Sequence, residues 1–343
     1  MSITTEDLGD LVNTTLTAFD YGKWTDLTGD IQEYHALPNI LKKEKVKFKT
    51  GKNIGVNIAT DSNGQARWVG FFETDNYNIR DVMSQGTAPW RHATWNYSYD
   101  RREEEINSGD KEQIVDLVKT RRGTSFIEGA KLLEAGFWGK PATSADVTTV
   151  WGVDMFIVRN ATTGFNGGNP SGFTTGAIFD STVQTRWKNH TAQFVNFTKS
   201  DAVRKMRQSA TKTMFKSPVD QSEIRNGALK RAIYSGYSNI AAAEELAEAQ
   251  NENLGNDLAS RDGSAYFRKV PFIYAPQLDS DTQTPVYGID WSTFYPVFLK
   301  GEYIKESKAR QHPTQHTAVV VDVDLTMNFL CVDRRRQWIV NIA

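Results

Sequence analysis

Residues 45–72 read KVKFKTGKNIGVNIATDSNGQARWVGFF, and the architecture turns on how this run is folded. Val46-Lys47-Phe48-Lys49 alternates as one strand and Ile54, Val56 and Ile58 as another, so a hairpin is predicted around the turn Thr50-Gly51-Lys52-Asn53. The turn Asp61-Ser62-Asn63-Gly64 leads to an expected strand from Ala66 to Phe72, a polar crossing from Asp75 to Ser84, and a strand from Trp90 to Asp100. This excursion carries Trp68, Phe71, Phe72, Trp90 and Trp95 on segments with too little apolar periodicity to build a core of their own. Such rings must find other surfaces, and other chains would supply them. The pattern points to assembly rather than catalysis.

Beyond the excursion, Ile114, Leu117 and Val118, then Ile127, Ala130, Leu133 and Phe137, recur at helical spacing. Asn107, Ser108 or Asp110 would cap this helix, Gly123 and Gly129 weaken its middle with a bend expected near Gly123, and Gly136 or Gly139 with Pro141 ends it. At the other end, Thr4 or Thr5 caps a short helix with Leu8, Leu11, Val12 and Leu16 on one side, followed by an extended arm through Gly22, Gly29 and Pro38. Downstream of the long helix, residues 145–180 are glycine-rich, with strands expected over Val150–Val153 and Met155–Val158 before the loop Gly164–Gly172. Helices are expected from about Thr198–Asp201 to Phe215 and from about Ser238 to Asn253. Thr317–Val323, Leu325–Val332 and Gln337–Ile342 are rich in β-branched and apolar residues and read as closing strands. The fold class is α+β, with no internal repeat.

Composition excludes several functions. Forty Lys and Arg against 41 Asp and Glu leave no net basic footprint, so a dedicated nucleic-acid binder is disfavoured and any such contact should be local and weak. One cysteine, Cys331, forbids an intramolecular disulfide and a cysteine-only metal cluster and fits a reducing compartment. The amino terminus MSITTEDLGD lacks the basic-then-apolar order of a signal peptide, and no apolar run approaches the roughly 20 residues of a membrane span. Without secretory entry, the triplets Asn160-Ala161-Thr162 and Asn189-His190-Thr191 are turn and strand chemistry rather than glycosylation sites.

No catalytic, cofactor or metal constellation emerges. His312 and His316 have ligand spacing, but Pro313 opposes a helix there and no third ligand is evident. No serine sits in Gly-x-Ser-x-Gly, and Cys331 lies in an apolar strand pattern where a buried, inert thiol is expected. The Gly164–Gly172 loop has neither Gly-x-Gly-x-x-Gly nor a Gly-Lys-Ser/Thr ending, so it reads as a flexible or sharply turned surface loop. Charge is more suggestive. Lys42, Lys43, Lys45, Lys47, Lys49 and Lys52 form a basic run that suits a solvated edge or an anionic partner, and Glu103, Glu104 and Glu105 beside Arg101 and Arg102 suit a neighbour-facing pair or a solvated helix approach. Arg334, Arg335 and Arg336 fall between two strands, where a tight turn would display all three guanidinium groups to a neighbour's carboxylates or to solvent. A rival reading as a glycan-binding or glycan-hydrolysing β-rich protein draws on the aromatics and on Asp322 and Asp324. It would need carboxylates facing each other across a cleft, and these two alternate on one strand.

The order of elements, together with Gly164-Phe165-Asn166-Gly167-Gly168-Asn169-Pro170, Trp187-Lys188-Asn189-His190-Thr191 and Asn328-Phe329-Leu330-Cys331-Val332-Asp333-Arg334-Arg335-Arg336, resembles the major capsid proteins of tailed bacteriophages with the Hong Kong 97-type fold. The likeness covers nearly the whole chain. It implies an N-terminal arm (1–43), a β-hairpin E-loop (44–107) lying over an adjacent subunit, a peripheral domain with a long spine helix (108–144), an axial domain (145–286) and a return to the peripheral domain (287–343). It further implies a non-enzymatic coat protein that forms hexamers and pentamers and closes an icosahedral head around double-stranded DNA. Its partners would be itself, a separate scaffolding protein, a portal, a decoration protein and the DNA through weak non-specific contact, with no cofactor and no membrane, in a virion assembled in the bacterial cytoplasm. Intersubunit contacts are expected at Phe48, Lys52, Trp68, Phe71, Phe72, Trp90, Trp95, Arg101, Arg102, Glu104, Phe165, Asn166, Arg334, Arg335 and Arg336. No motif selects a lysine–asparagine pair for covalent cross-linking.

Overall fold

The computed structural model describes residues 47–59, 66–74, 82–106, 111–215, 231–251, 266–268 and 270–343, the side chains of 104–106, 111–117 and 247–251 excepted. The arm 1–43 with its helix after Thr4 or Thr5, the turn Asp61–Gly64 and the caps Asn107, Ser108 and Asp110 lie outside the described residues.

In chain order, strands β1 (Lys47–Lys49), β2 (Ile54–Ala59), β3 (Met83–Ala88) and β4 (Arg91–Asp100) lead to helices α1 (Arg101–Ile106) and α2 (Lys111–Trp138). A short helix α3 (Val153–Phe156), strands β5 (Gly164–Gly167) and β6 (Asn189–Phe194), helix α4 (Ala202–Lys212), strand β7 (Arg231–Ser235) and helix α5 (Tyr237–Asn251) follow. The rest is β: β8 (Tyr266–Phe267), β9 (Val270–Tyr274), β10 (Val286–Asp290), β11 (Phe294–Leu299), β12 (Lys305–Glu306), β13 (Arg310–Gln311), β14 (Ala318–Cys331) and β15 (Trp338–Ile342).

Two sheets share the body. The first is organised by β14, one continuous strand of 14 residues where two were expected, because Asp324 between the apolar runs keeps the alternation in phase. Met327 pairs with Phe298 of β11 on one edge and with Arg91 of β4 on the other, and β4 follows β14 antiparallel for ten positions. The second sheet has the order β5-β6-β15-β10-β7-β9-β8 among the described residues, with mixed directions. Helix α2 crosses β4: Ser125 Oγ donates to the Asn96 carbonyl at 3.0 Å and Arg121 Nη1 to the Ser98 carbonyl at 3.2 Å. The helix closes on Gly129, where an added Cβ would stand 2.8 Å from the Trp95 ring. That contact explains a glycine in mid-helix better than a hinge would, and α2 runs without interruption through Gly123, where a bend was expected.

The main core lies between these layers, with Phe137 packed against Trp138, Trp291, Phe294 and Phe329 at ring-centroid distances of 4.7–5.9 Å. Cys331 is fully buried here, its thiol pushed up to about 12 by burial, as the inert reading requires. Four local expectations change. β1 does not pair with β2; it lies parallel to β11, with Lys47 opposite Val297, while β2 pairs antiparallel with β3. Residues 66–72 are not a strand but an irregular segment ending in a turn. Residues 150–158 hold α3 rather than two strands, because Val153, Met155 and Phe156 all bury against the core, which an alternating strand would not permit. The glycine run from Gly164 is partly structured, Gly164–Gly167 pairing irregularly with β6.

Candidate assembly surface

The β2–β3 hairpin has two unlike ends. At its root, Ile54, Val56 and Ala88 are buried against Tyr295, Val297 and Leu330 of the body. Trp90 ties the turn beneath it, its indole Nε1 donating to the Gly51 carbonyl at 2.8 Å. The strand alternation is strict: Gly55, Asn57 and Ala59 face solvent while Ile54 and Val56 face inward. The described tip, 66–74, is different. Arg67 pairs with Glu73 at 3.4 Å and also reaches the Thr74 carbonyl, while Glu73 Oε2 accepts the Gly70 N–H at 2.9 Å. Phe72 turns the chain at φ 65°. The small polar brace leaves Trp68, Phe71 and Phe72 wholly exposed, at 102%, 101% and 106%.

The remaining expected contact residues separate into displayed and internal groups. Lys52, Arg101 and Arg102 are exposed, Phe48 is 55% exposed with its ring edge-on to Tyr303, and Arg336 is exposed beside Asp333 at 3.4 Å. Asn166 is half-buried and bonds the Thr162 carbonyl, and Arg335 stacks 4.3 Å over the half-buried Phe165 ring. Trp90 and Trp95 belong mainly to their own body, Trp95 lying edge-to-face on Phe126 at 6.1 Å. The side chain of Glu104 lies outside the described residues. Glu103 beside it is buried and held in a two-point pair by Arg121 of α2, at 2.8 and 2.9 Å.

Arg334 is the main correction. It was expected on display and is fully buried, donating to the carbonyls of Phe156, Trp187, Gly167 and Gly168 and to Asn189 Oδ1. The cause is local: residues 334–336 form a 3₁₀ turn capped by the Asp333 carboxylate, which sends the first guanidinium inward and the other two outward. Burial lowers its pKa to about 10, so it remains a cation at neutral pH, bound by oxygen dipoles. The sequence signal was there in Gly176, where an added Cβ would collide with this guanidinium, and in Gly167 and Gly168, whose carbonyls accept from it. It could not be read without the fold.

The rival glycan reading gains nothing from the geometry, since Asp322 is tied to Arg310 and Asp324 stands exposed further along the same strand. His312 and His316 sit on an exposed loop, and among the described residues no group of His, Cys, Asp or Glu could hold a metal ion. Among those residues, too, no helix is long and apolar enough to cross a membrane.

No family model matches the sequence, and no curated protein does. Solved structures do. The chain is similar to a chain of the cyanophage A-1(L) capsid at 14% identity and TM-score 0.58, over 96% of this chain and 98% of that one. It is similar to the capsid of the native GTA particle at 11% identity and TM-score 0.58, over 95% and 96%, and to the capsid of the Myoviridae phage XM1 at 8% identity and TM-score 0.55, over 95% and 98%. The architecture is thus the one that these capsid chains share. In particular, the chain has the α+β Hong Kong 97-type capsid fold, as its element order led one to expect.

Proposed function

We propose that this chain is a major capsid protein that self-assembles as hexamers and pentamers into an icosahedral phage head around double-stranded DNA. What supports the reading most is the pairing of a whole-chain capsid fold with an aromatic tip that its own body leaves bare. Burying a side chain of this size contributes about 1.5–3 kcal/mol, so three rings on a neighbour supply the driving force of a contact repeated around a closed ring. In this reading 44–107 is the E-loop lying over the adjacent subunit, 108–144 carries the spine helix of the peripheral domain, 145–286 is the axial domain, and 287–343 returns to the peripheral domain. The mechanism is interface burial and charge pairing, with no bond made or broken. A separate scaffolding protein, a portal and a decoration protein complete the partner set, and the virion capsid is the location, assembled in the host cytoplasm.

The test is negative-stain microscopy and light scattering of purified protein, with a co-expressed scaffold. Shells or ring-shaped capsomers are expected. A compact monomer under every condition would overturn the reading.

A further inference from the structure

The basic run of the sequence becomes a defined surface where β1 meets the body. Lys47 and Lys49 share one face of β1, about 7 Å apart at two residues of strand rise. Lys300 follows β11 directly, and its N–H donates to the Lys49 carbonyl at 3.0 Å, which brings a third lysine alongside. Lys52 stands exposed in the turn that Gly51 makes at φ 117°. Lys49, Lys300, Phe48, Thr50, Asn53 and Gly55 line an open recess of about 490 Å³.

Among the described residues no carboxylate answers this charge. Residues 45–59 contain neither Asp nor Glu, and the acid nearest in sequence to Lys300, Glu302, is taken by Lys305 at 2.9 Å. Among the described residues none of the four ammonium groups enters an ion pair. Lys47 instead rests 3.6 Å above the Tyr295 ring. Its pKa is lowered by burial and then by the neighbouring Lys49, as expected where cations are crowded without an anion.

We infer that this recess is a phosphate-binding surface for duplex DNA, engaged without regard to base sequence. The inference rests on the container reading above, which places such a duplex against the shell, and it assigns the contact to named residues. Three features favour DNA over an acidic polypeptide. All four cations are lysines, point charges suited to phosphate, whereas carboxylate recognition favours the two-point fork of arginine. The two on β1, Lys47 and Lys49, are spaced close to every second backbone charge of one DNA strand, at about 3.4 Å of axis each. The recess is open and shallow, with no enclosed pocket for a particular side chain.

The test uses the full chain with a fluorescein-labelled duplex of arbitrary sequence, about 30 base pairs long, and follows anisotropy from about 50 to 200 mM NaCl. The triple variant Lys49→Gln/Lys52→Gln/Lys300→Gln should flatten the log–log salt slope by about 3, at roughly 0.9 per lost phosphate contact, and weaken binding at the lowest salt by tenfold or more. The double variant Lys52→Gln/Lys300→Gln, which spares the bond from Lys49 to Gly55, should flatten it by about 2 with an unchanged thermal midpoint. An unchanged slope in both variants, or no duplex binding by the wild type at the lowest salt, overturns the inference. So does displacement of the duplex by poly-glutamate at equal charge, if the same variants lose the poly-glutamate in equal measure. Microscopy of the same preparations separates the two readings. Shells with an unaltered slope retire this surface and leave the container, while lysine-dependent DNA binding by a chain that never forms shells upholds the surface and retires the container.

Discussion

The root and the tip of one hairpin put similar apolar residues to opposite uses. At the root, Ile54 and Val56 alternate with Gly55 and Asn57, and the inward pair meets Val297 and Leu330 across a core that the chain itself completes. At the tip, Trp68, Phe71 and Phe72 fall in an irregular segment where no periodicity aims them at the body, and the Arg67–Glu73 brace holds them outward. The hairpin is therefore self-sufficient where it leaves the body and unfinished where it ends. Rings left in water at a braced site resemble the buried anchors of protein interfaces more than accidents of folding, because the brace already orders 66–74 before a partner arrives.

The sharpest way to break this contrast is to remove the rings. Replacing Trp68, Phe71 and Phe72 together by serine should leave the urea midpoint within about 0.5 kcal/mol of wild type, since surface changes away from packed features are near neutral. Assembly should fail, because three lost anchors at about 1.5 kcal/mol or more each raise the protein concentration needed for shells by a thousandfold or more. Light scattering reads the second effect and denaturation the first. Shells formed at the wild-type concentration would show that the tip is decoration rather than anchor.

The converse change attacks the root. Val56→Asp puts a carboxylate among Tyr295, Val297 and Leu330, and should cost about 3–5 kcal/mol in a urea unfolding series. If Val56→Asp left stability intact while disrupting shells, the root would also be an interface and the contrast would fail.

How much of this was legible before the fold was known depends on the distance over which each signal acts. Helix α2 and the two runs that join as β14 were readable because 3.6- and 2-residue periods are local properties, and the end of α2 at Trp138 agrees with the stop at Gly139 and Pro141. The partner of β1 was not: Phe48 pairs with Phe298, and nothing in a four-residue alternation encodes a parallel neighbour so far along the chain. Arg334 was misplaced for a related reason. Three consecutive arginines suggest solvent, and only the convergence of Phe156, Gly167, Gly168 and Trp187 supplies the carbonyls that make one of them an internal clamp. Residues 66–72 looked like a strand on composition alone, which aromatics favour; the missing element was a pairing partner. The tip rings, grouped on a lack of periodicity, stand exposed, whereas Trp90 and Trp95, grouped with them, are held by Gly51 and by the close approach of Gly129.

That last distinction is open to a smaller test. Gly129→Ala would place a methyl 2.8 Å from the Trp95 ring, on a side chain already wedged between α2 and β4, so the helix or the ring must shift. Overpacking of this kind should destabilise by about 1–3 kcal/mol, outweighing the gain in helix propensity of roughly 1 kcal/mol. A net stabilisation would mean that Trp95 is free to move, and would return it to the tip's side of the comparison.

An effect no larger, and spread over pH, concerns a part of the body far along the chain from the hairpin. His190 is buried in β6 against the edge of Phe165, with centroids 5.2 Å apart, and burial followed by the charge of Lys212 lowers its pKa to about 4. The folded state therefore binds its proton less readily than the unfolded chain, whose histidine titrates near 6.5. Between those values the unfolded chain carries more protons, so stability should be constant above about pH 6.5 and fall as pH drops toward 4, by about 1–3 kcal/mol in all. His190→Gln should remove that part of the slope and leave the carboxylate-driven loss below it. Because the tip contains no histidine, shell formation by folded protein should follow this titration only through the body's stability. An assembly midpoint that shifts between pH 6.5 and 5 while the urea midpoint stays fixed would place a titrating group at the interface itself.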